Sequence, residues 1–143
     1  MKRIIILRGP AGVGKSTIGK LLKKELGNAL LFNIDMICSD MVGEHPKRSK
    51  ARNMVYELCY LAAKKTQKDN LIFERIFLEQ KDLDDLKKVF SNQKYKIFII
   101  TLKASLTKLI KQDKERPNSL GSEDIKRLHN LFGKSDVKNI GKT

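Results

Sequence analysis

Residues 4–16 read IIILRGPAGVGKS, an apolar run that leads directly into a glycine-rich loop. Residues 9–16 satisfy the pattern G-x-x-x-x-G-K-[ST], and a helical pattern of apolar residues begins at Lys15. Strand, loop and helix in this order are the context in which the pattern binds polyphosphate. The stretch therefore predicts a βα unit whose loop holds the phosphates of a nucleotide.

Each residue type in this phosphate loop has a chemical reason to be there. Glycines lack a Cβ, so backbone N–H groups can curl around a polyphosphate. Lys15 is expected to reach the β- and γ-phosphates, and the Ser16 hydroxyl is expected to bind Mg²⁺. The helix N-terminus adds partial positive charge. The predicted nucleotide contacts are Gly9, Pro10, Ala11, Gly12, Val13, Gly14, Lys15, Ser16 and Thr17.

Apolar runs alternate with amphipathic helical patterns along the rest of the chain. Strands are predicted at residues 2–8, 29–34, 71–76 and 95–102, with a weak candidate for a fifth at 136–140. Helices are predicted at residues 15–27, 50–65, 79–90, 105–114 and 122–133. The strands lack period-two alternation, which is typical of a parallel sheet with helices on both faces. The pattern therefore predicts an α/β fold, in one domain covering residues 1–143.

Three local features carry further expectations. The polar stretch between Asp35 and residue 50 contains Gly43 and Pro46 and is expected to be irregular. Ser122 is expected to cap the last helix. The second predicted helix is expected to bury an apolar stripe, which comprises Met54, Val55, Leu58, Leu61 and Ala62.

The composition limits the classes of partner. The 143 residues include 30 Lys and Arg against 16 Asp and Glu, a formal charge of +14. Such a charge suits a nucleic acid or another anionic partner. The basic residues are dispersed, however, and no stacking aromatics interleave with them, so a lysine-rich surface explains most of the charge.

The expected location is the cytoplasm, with no membrane anchor. No apolar run approaches the ~20 residues that span a bilayer. The N-terminus enters a strand directly, which is unlike a signal peptide. Cys38 and Cys59 are isolated and show no metal-type spacing, so both are expected to be buried free thiols in a reducing compartment.

A phosphate loop alone does not separate kinases, GTPases, ATPase motors and switches. A GTPase carries an N-K-x-D guanine-binding motif on a late strand, and this sequence has none. Motor ATPases usually need a larger core. A small-substrate kinase needs only the loop, a carboxylate beside the acceptor hydroxyl, a carboxylate for the metal, and mobile basic residues over the transferred phosphate.

Asp35 is the best candidate for the acceptor-side carboxylate. It follows the second predicted strand, and ligands of open α/β sheets bind beyond the carboxyl ends of the strands. A carboxylate at this place orients and deprotonates a hydroxyl. Asp40 is the alternative for this role. The structural alternative is that Asp35 caps the helix or turn that follows.

Glu74 is the candidate metal carboxylate. It ends the apolar run of residues 71–73, where a metal-binding carboxylate follows the third strand in phosphate-loop enzymes. Glu is longer than the usual Asp, so it either holds Mg²⁺ through water or contacts the substrate. The alternative is an ion pair with Arg75 or Arg8 at the edge of the sheet.

Several basic residues are candidates for contacts with phosphates. Arg116 lies in the polar loop after the fourth helix, where a guanidinium can neutralise charge that spreads in the transition state. Arg48 and Arg52 begin the second helix and are candidates for binding an anionic part of the substrate, although charged helix faces are common. His45 and His129 have no partner cluster and are interpreted as structural or exposed.

Four stretches together resemble the P-loop kinases of the zeta-toxin, polynucleotide-kinase and chloramphenicol-phosphotransferase group, which is similar to the tRNA-linked seryl kinases. They are residues 9–17, 33–35, 71–75 and 112–116. The resemblance implies a three-layer P-loop NTPase sandwich with about five parallel strands in the order 2-3-1-4-5. It also implies ATP-dependent phosphorylation of a hydroxyl.

The resemblance also assigns roles. It places the base on Asp35 and a lid of the form R-[DN]-x-x-R on residues 112–116, of which only Arg116 matches as arginine. Gln112 stands at the first arginine position, and Glu74 stands where Asp is usual.

The sequence thus predicts an ATP-dependent kinase that phosphorylates a hydroxyl of a small molecule or a nucleic-acid end. The predicted catalytic residues are Lys15, Asp35 and Arg116, and the predicted metal ligands are Ser16 and Glu74. One alternative is a polynucleotide 5′-hydroxyl kinase, which the basic charge favours and the lack of stacking aromatics disfavours. Another is a nucleotide-binding regulatory module with little catalysis, which the departure at Gln112 favours.

Overall fold

The fold is built on one parallel sheet. The computed structural model describes residues 1–43, 48–117, 119–135 and 137, without the side chain of Arg48. Four strands lie in the order β2-β3-β1-β4. The strands are β1 Arg3–Arg8, β2 Ala29–Asn33, β3 Asn70–Glu74 and β4 Lys96–Thr101. The helices are α1 Lys15–Leu26, α2 Ile34–Val42, α3 Arg48–Thr66, α4 Gln80–Val89, α5 Leu106–Lys114 and α6 Ser122–Gly133.

The α/β class and the first four positions of the strand order are confirmed. The candidate fifth strand at 136–140 lies outside the described residues, apart from Val137. No helix in the described ranges has both the length and the apolar character to cross a membrane.

The central strand β1 explains why the sheet is buried on both faces. Successive side chains of a strand point to opposite faces. Ile4 and Ile6 pack in the larger core, with apolar residues of α2, α3 and α4. Ile5 and Leu7 pack on the other face, against α1. All strand pairs are parallel and in register, with Ile5 opposite both Ile72 and Phe98, so every strand ends at the same edge of the sheet.

The structure differs from the sequence prediction just after β2. The stretch expected to be irregular contains α2, which begins at Ile34. The Asn33 side chain caps it by accepting a hydrogen bond of 3.2 Å from the backbone N–H of Met36. Ile34 and Cys38, four residues apart, bury one face. Asp35 therefore lies in the first turn of a helix, where the helix dipole favours a carboxylate.

In helix α3, two residues of the predicted apolar stripe hold: Val55 is buried and Ala62 packs against the larger core, whereas the other three are exposed. Met54, Leu58 and Leu61 are exposed by 37%, 40% and 49%. The buried face instead carries Ala51, Val55, Tyr56, Cys59 and Ala63. The buried residues 51, 55, 59 and 63 recur every four positions, so they form one face of the helix, and the larger apolar residues lie outside that face.

The start of α6 also departs from expectation. Gly121, with a φ of 90°, precedes the helix, and no side-chain cap hydrogen bond is formed there. Ser122 is the first residue of the helix and is not its cap.

Strand β4 is the least covered strand of the sheet. It pairs with β1 on one side, and no described strand pairs with its outer edge. Ile97, Phe98 and Ile100 remain exposed by 37%, 40% and 38%. The expected burial on both faces therefore holds for β1 and β3 but not for β4.

Candidate active site

The phosphate loop lies at the edge of the sheet where β1 ends. Gly14 precedes α1 with a φ of 102°, a conformation that residues with a Cβ rarely adopt. A Cβ on Gly9 would lie 2.8 Å from the carbonyl oxygen of Leu102. Gly14 is therefore needed for its backbone angle. Gly9 is needed because the loop after β4 approaches it closely.

Lys15 is folded back onto its own loop. Its Nζ donates to the carbonyl oxygens of Gly9 at 2.8 Å and Pro10 at 3.0 Å. Burial lowers its pKa to about 8, although the nearby carboxylates of Glu74 and Asp35 act to raise the pKa. The ammonium group is thus held at the point where a polyphosphate would enter, without full compensation of its charge.

Ser16 and Glu74 form a short pair beside the loop. The Ser16 hydroxyl donates to Glu74 Oε1 at 2.5 Å, and Glu74 is only 6% exposed. Hydroxyl and carboxylate oxygens are ligands that Mg²⁺ accepts, and Mg²⁺ usually keeps waters and phosphate oxygens beside one or two protein ligands. The pair fits such an ion. Glu74 makes no ion pair with either arginine that the sequence offered as an alternative.

One cleft brings the predicted site residues together. It has a volume of 580 Å³ and lies between the phosphate loop, β2, β3 and the loop after α5. Its walls include the following predicted residues: Lys15, Ser16, Thr17, Asp35, Glu74 and Arg116. Asp40 is exposed on α2 and is not among the lining residues. Of the two candidate bases, only Asp35 faces the same cleft as the phosphate loop.

Asp35 is held by an arginine that the sequence analysis did not select. Arg75 Nε donates to Asp35 Oδ1 at 3.0 Å. The same guanidinium pairs through Nη1 with Asp82. The Asp35 side chain is half exposed, whereas the side chains of Arg75 and Asp82 are 13% and 4% exposed. Arg75 therefore connects the open end of the cleft to a buried carboxylate.

Asp82, in the first turn of α4, is the centre of this network. Tyr56 OH donates to its Oδ1 at 2.6 Å. Arg52 Nε lies 3.1 Å from the same oxygen, without the alignment of a hydrogen bond. Arg52 is thus directed to a protein carboxylate and not to an open substrate site. Burial is the main cause that raises the pKa of Tyr56, so its hydroxyl stays a donor at neutral pH.

The loop after α5 is folded around Asp113, which is 1% exposed. Its carboxylate accepts from the backbone N–H groups of Leu120 at 2.9 Å and Gly121 at 3.0 Å, and from Ser119 Oγ at 3.0 Å. These bonds, the one from Leu120 first, lower the pKa of Asp113. Asp113 therefore fixes the far end of the loop that carries the exposed Arg116.

Gln112 lies in the wall of the cleft beside Arg116. Its Oε1 is buried and has no hydrogen-bond partner in the described part of the chain. The first position of the predicted lid pattern thus holds a neutral amide whose oxygen is buried.

The remaining candidates lie apart from this cleft. Cys38 and Cys59 are buried free thiols, as predicted, and burial raises the pKa of Cys59. His129 lines a different cavity. His45 and the Arg48 side chain lie outside the described residues.

The sequence analysis missed Arg75, Tyr56, Asp82 and Asp113 as site residues. The first two carried weak signals, a basic residue directly after Glu74 and a tyrosine on the acceptor-side helix. Asp113 carried a signal as well, because it matches the second position of the lid pattern quoted for residues 112–116. Asp82 carried none, because an isolated acid on an amphipathic helix is usually solvated.

Known proteins resemble the chain over most of its length. A family profile described as "AAA domain" matches residues 4–132. Shikimate kinase of Pseudomonas putida is 44% identical over 71 residues, which are 41% of this chain and 40% of that enzyme. Shikimate kinase of Actinobacillus succinogenes is 29% identical over 145 residues, covering 91% of this chain and 76% of the enzyme. The chain thus spans about two fifths of the first relative.

Solved structures share the fold at low identity. A chain of the Pnkp1/Rnl/Hen1 RNA repair complex superposes with a TM-score of 0.71 and 18% identity, over 94% of this chain and 45% of that chain. A gluconokinase from Sinorhizobium meliloti 1021 superposes with a TM-score of 0.58 and 15% identity, over 90% of this chain and 74% of that chain. The narrower resemblance to zeta toxins and chloramphenicol phosphotransferases stays a prediction. Because the profile covers residues 4–132, the chain belongs to the AAA domain family that this profile describes.

Proposed function

We propose that this protein is an ATP-dependent kinase that transfers the γ-phosphoryl group to a hydroxyl of its acceptor. The observation that carries the proposal is the single cleft shared by Lys15, Ser16, Asp35, Glu74 and Arg116. Phosphoryl transfer requires four parts: a cationic cradle for the phosphates, oxygen ligands for a metal, a carboxylate beside the acceptor and a mobile cation. These residues supply them.

The proposed reaction begins when Lys15 leaves the carbonyls of Gly9 and Pro10 and binds the β- and γ-phosphates of ATP. Arg75 holds Asp35 Oδ1, so we assign Oδ2 to the acceptor hydroxyl. The acceptor oxygen forms a bond to the γ-phosphorus while the bond to the β–γ bridging oxygen breaks. Asp35 takes the hydroxyl proton, ADP leaves, and the acceptor carries the phosphate.

Mg²⁺, when bound, neutralises charge on the β- and γ-phosphate oxygens. Ser16 and Glu74 are the residues that would hold it, and their present hydrogen bond keeps both oxygens beside the phosphate loop. Arg116 enters from the loop after α5 and stabilises the charge that develops on the transferred group. A guanidinium suits this role because its planar N–H groups match phosphate oxygens.

The acceptor is best found by direct phosphoryl transfer from labelled ATP. We would test shikimate and gluconate, after the enzymes that the chain resembles, together with a 5′-hydroxyl oligonucleotide. Asp35→Asn should lower turnover ~10²–10⁴-fold and leave ATP affinity nearly unchanged, because only the base is lost. Asp40→Asn is the matched control on the same helix. Near-normal turnover in Asp35→Asn would remove this residue from the mechanism.

Arg116 has its own test in the same assay. Arg116→Ala should lower single-turnover phosphoryl transfer by ~10³-fold with a smaller effect on ATP affinity, because the group acts mainly in the transition state. Arg116→Lys should restore only part of the rate. The control is Arg127→Ala, an exposed arginine on α6. A variant as fast as the parent would show that this loop is not a catalytic lid.

A polynucleotide 5′-hydroxyl kinase is the second candidate. The charge of +14 and the likeness to the RNA repair complex favour it. A nucleotide-binding regulatory module is the third, because Gln112 replaces the first arginine of the lid pattern. ATP turnover with any acceptor would decide against the third candidate, and Gln112→Arg should raise that turnover if the missing arginine limits it.

A further inference from the structure

The side chain of Asp35 is open to the cleft, although the helix that carries it is fixed. Helix α2 is capped by the Asn33 side chain, and Ile34 buries its first turn. The Asp35 side chain itself is half exposed. A side chain this open exchanges rotamers rapidly unless a partner holds it. A general base, in contrast, must stay within hydrogen-bond reach of the proton that it takes. The helix alone therefore does not orient this carboxylate.

Arg75 reaches Asp35 from a rigid part of the sheet. Its Nε donates to Asp35 Oδ1 at 3.0 Å. The backbone N–H of Arg75 donates to the Leu7 carbonyl at 3.2 Å, which continues the pairing of β3 with β1 by one residue beyond Glu74. The arginine therefore starts from a backbone that the central strand holds in place.

The guanidinium of Arg75 is also fixed by contacts other than the one with Asp35. Its Nη1 pairs with the buried carboxylate of Asp82, and the Phe77 ring lies 5.7 Å from its Cζ, at cation–π distance. Asp82 is held in turn by Tyr56 OH at 2.6 Å. The contacts with Asp82 and Phe77 already restrict the long arginine side chain, so holding Asp35 costs mainly the entropy of the short aspartate. An exposed salt bridge differs, because it must order two free side chains.

We propose that Arg75 is a positioning residue, which orients the Asp35 carboxylate toward the acceptor hydroxyl. This inference rests on the proposed function, in which Asp35 is the base. Arg75 occupies Oδ1 and thereby directs Oδ2 into the cleft, where the hydroxyl donates its proton. Lysine cannot replace this arginine, because one ammonium group lacks the planar fork that reaches the carboxylates of Asp35 and Asp82 together.

The contact is tested first by NMR of the whole protein, without any acceptor. The readout is the Arg75 Nε–Hε signal, assigned through bonds from its backbone. The signal should shift in Asp35→Asn, because its charged acceptor becomes a neutral amide. Asp40→Asn is the control, since Asp40 is exposed on the same helix, and it should leave the signal unchanged. An Arg75 signal at the same position in the parent and in Asp35→Asn would overturn the positioning role.

The second test measures the consequence for the reaction. Phosphoryl transfer from labelled ATP is followed with whichever of shikimate, gluconate and a 5′-hydroxyl oligonucleotide the parent phosphorylates fastest. Arg75→Lys should lower kcat ~10²-fold with little change in the KM for ATP, because a misplaced base slows the chemical step and not nucleotide binding. Arg52→Lys is the matched control, since Arg52 lies beside the other carboxylate oxygen of Asp82. It should keep the kcat of the parent.

A double variant separates positioning from a merely structural effect. If Arg75 acts through Asp35, adding Arg75→Lys to Asp35→Asn should lower kcat no further. An equal loss in both backgrounds, or a parent-like kcat in Arg75→Lys, would overturn the role of Arg75 and leave the proposed function standing. A parent that phosphorylates none of the three acceptors would instead overturn the proposed function, and the positioning role with it. If Arg75→Lys does not fold, the NMR comparison still decides, because it uses only the parent and Asp35→Asn.

Discussion

Burial and charge act in opposite directions at Lys15. Burial lowers its pKa, while Glu74 and Asp35 oppose this decrease. Arg75 differs, because this partly buried cation is compensated directly by the carboxylates of Asp35 and Asp82. The charge of Lys15 is therefore available to a bound phosphate, whereas the protein itself compensates the charge of Arg75.

The Lys15 charge should be visible in the pH dependence of stability. Its pKa is about 8 in the folded protein and ~10.4 in an unfolded chain. Between these values the unfolded state binds more protons, so the stability contributed at this residue rises with pH. The free energy of unfolding of the parent, relative to Lys15→Met, should therefore increase from about pH 8 to about pH 10. Urea denaturation of the parent and of Lys15→Met at a series of pH values measures this difference.

Lys20→Met is the control for this experiment, since Lys20 is exposed on the same helix. Its difference from the parent should stay constant over the same range of pH. A constant difference for Lys15→Met as well would show that the folded protein does not shift this pKa.

Tyr56 should stabilise the fold through Asp82. Tyr56→Phe removes a hydrogen bond to a buried carboxylate and should lower the free energy of unfolding by roughly 1.5–3 kcal/mol. Tyr60→Phe is the control, because Tyr60 OH accepts a longer bond of 3.2 Å from the neutral amide of Gln93. Its effect should be roughly 1 kcal/mol or less. Equal losses in the two variants, measured by urea denaturation, would contradict a special role for Asp82.

The elements around the cleft differ in how they are held. Helix α2 is fixed by its Asn33 cap and two buried residues. In its described residues, the loop between α5 and α6 is held by the carboxylate of Asp113. The loop therefore has a localised anchor, and one substitution there should change the loop without disturbing the sheet.

Asp113→Asn tests this anchor. Hydrogen bonds lower the pKa of Asp113 in the folded protein. Its contribution to stability is therefore fully present above the unfolded pKa of ~3.9, and it is lost as the pH falls through the pKa of the folded protein. The parent should be more stable than Asp113→Asn at neutral pH, and the difference should shrink below about pH 4. Asp124→Asn, at an exposed ion pair on α6, is the control. If the difference in free energy of unfolding between the parent and Asp113→Asn did not change with pH, Asp113 would not anchor the loop.

The sequence predicted the elements that depend on local patterns. The apolar runs located all four strands to within two residues, and the phosphate loop predicted the turn into α1. Helix α2 was missed because a nine-residue helix directly after a strand leaves no separate pattern. Asp82 was missed because its burial depends on Tyr56 and Arg52 of α3, which only the fold brings near it. Asp113 matched the second position of the lid pattern, but the pattern did not predict its hydrogen bonds to residues 119–121.

At the scale of the whole molecule, the dispersed charge of +14 predicts weak and unspecific binding of nucleic acid. The affinity for a 5′-hydroxyl oligonucleotide should fall steeply with salt, with a log–log slope of several units. We expect no tight binding at physiological salt, because stacking aromatics are lacking. Fluorescence anisotropy over a salt series measures this. Nanomolar affinity at physiological salt would instead promote the polynucleotide kinase candidate.

The outer edge of β4, with which no described strand pairs, has a consequence for the behaviour of the protein in solution. An exposed apolar edge strand is a template for pairing with another chain, and here Ile97, Phe98 and Ile100 provide the contact surface. The charge of +14 keeps molecules apart only while it is unscreened. Added salt should therefore make this protein self-associate, with light scattering that rises with ionic strength and falls again in Phe98→Lys. Storage in a buffer of low ionic strength should keep the charge unscreened and the molecules apart.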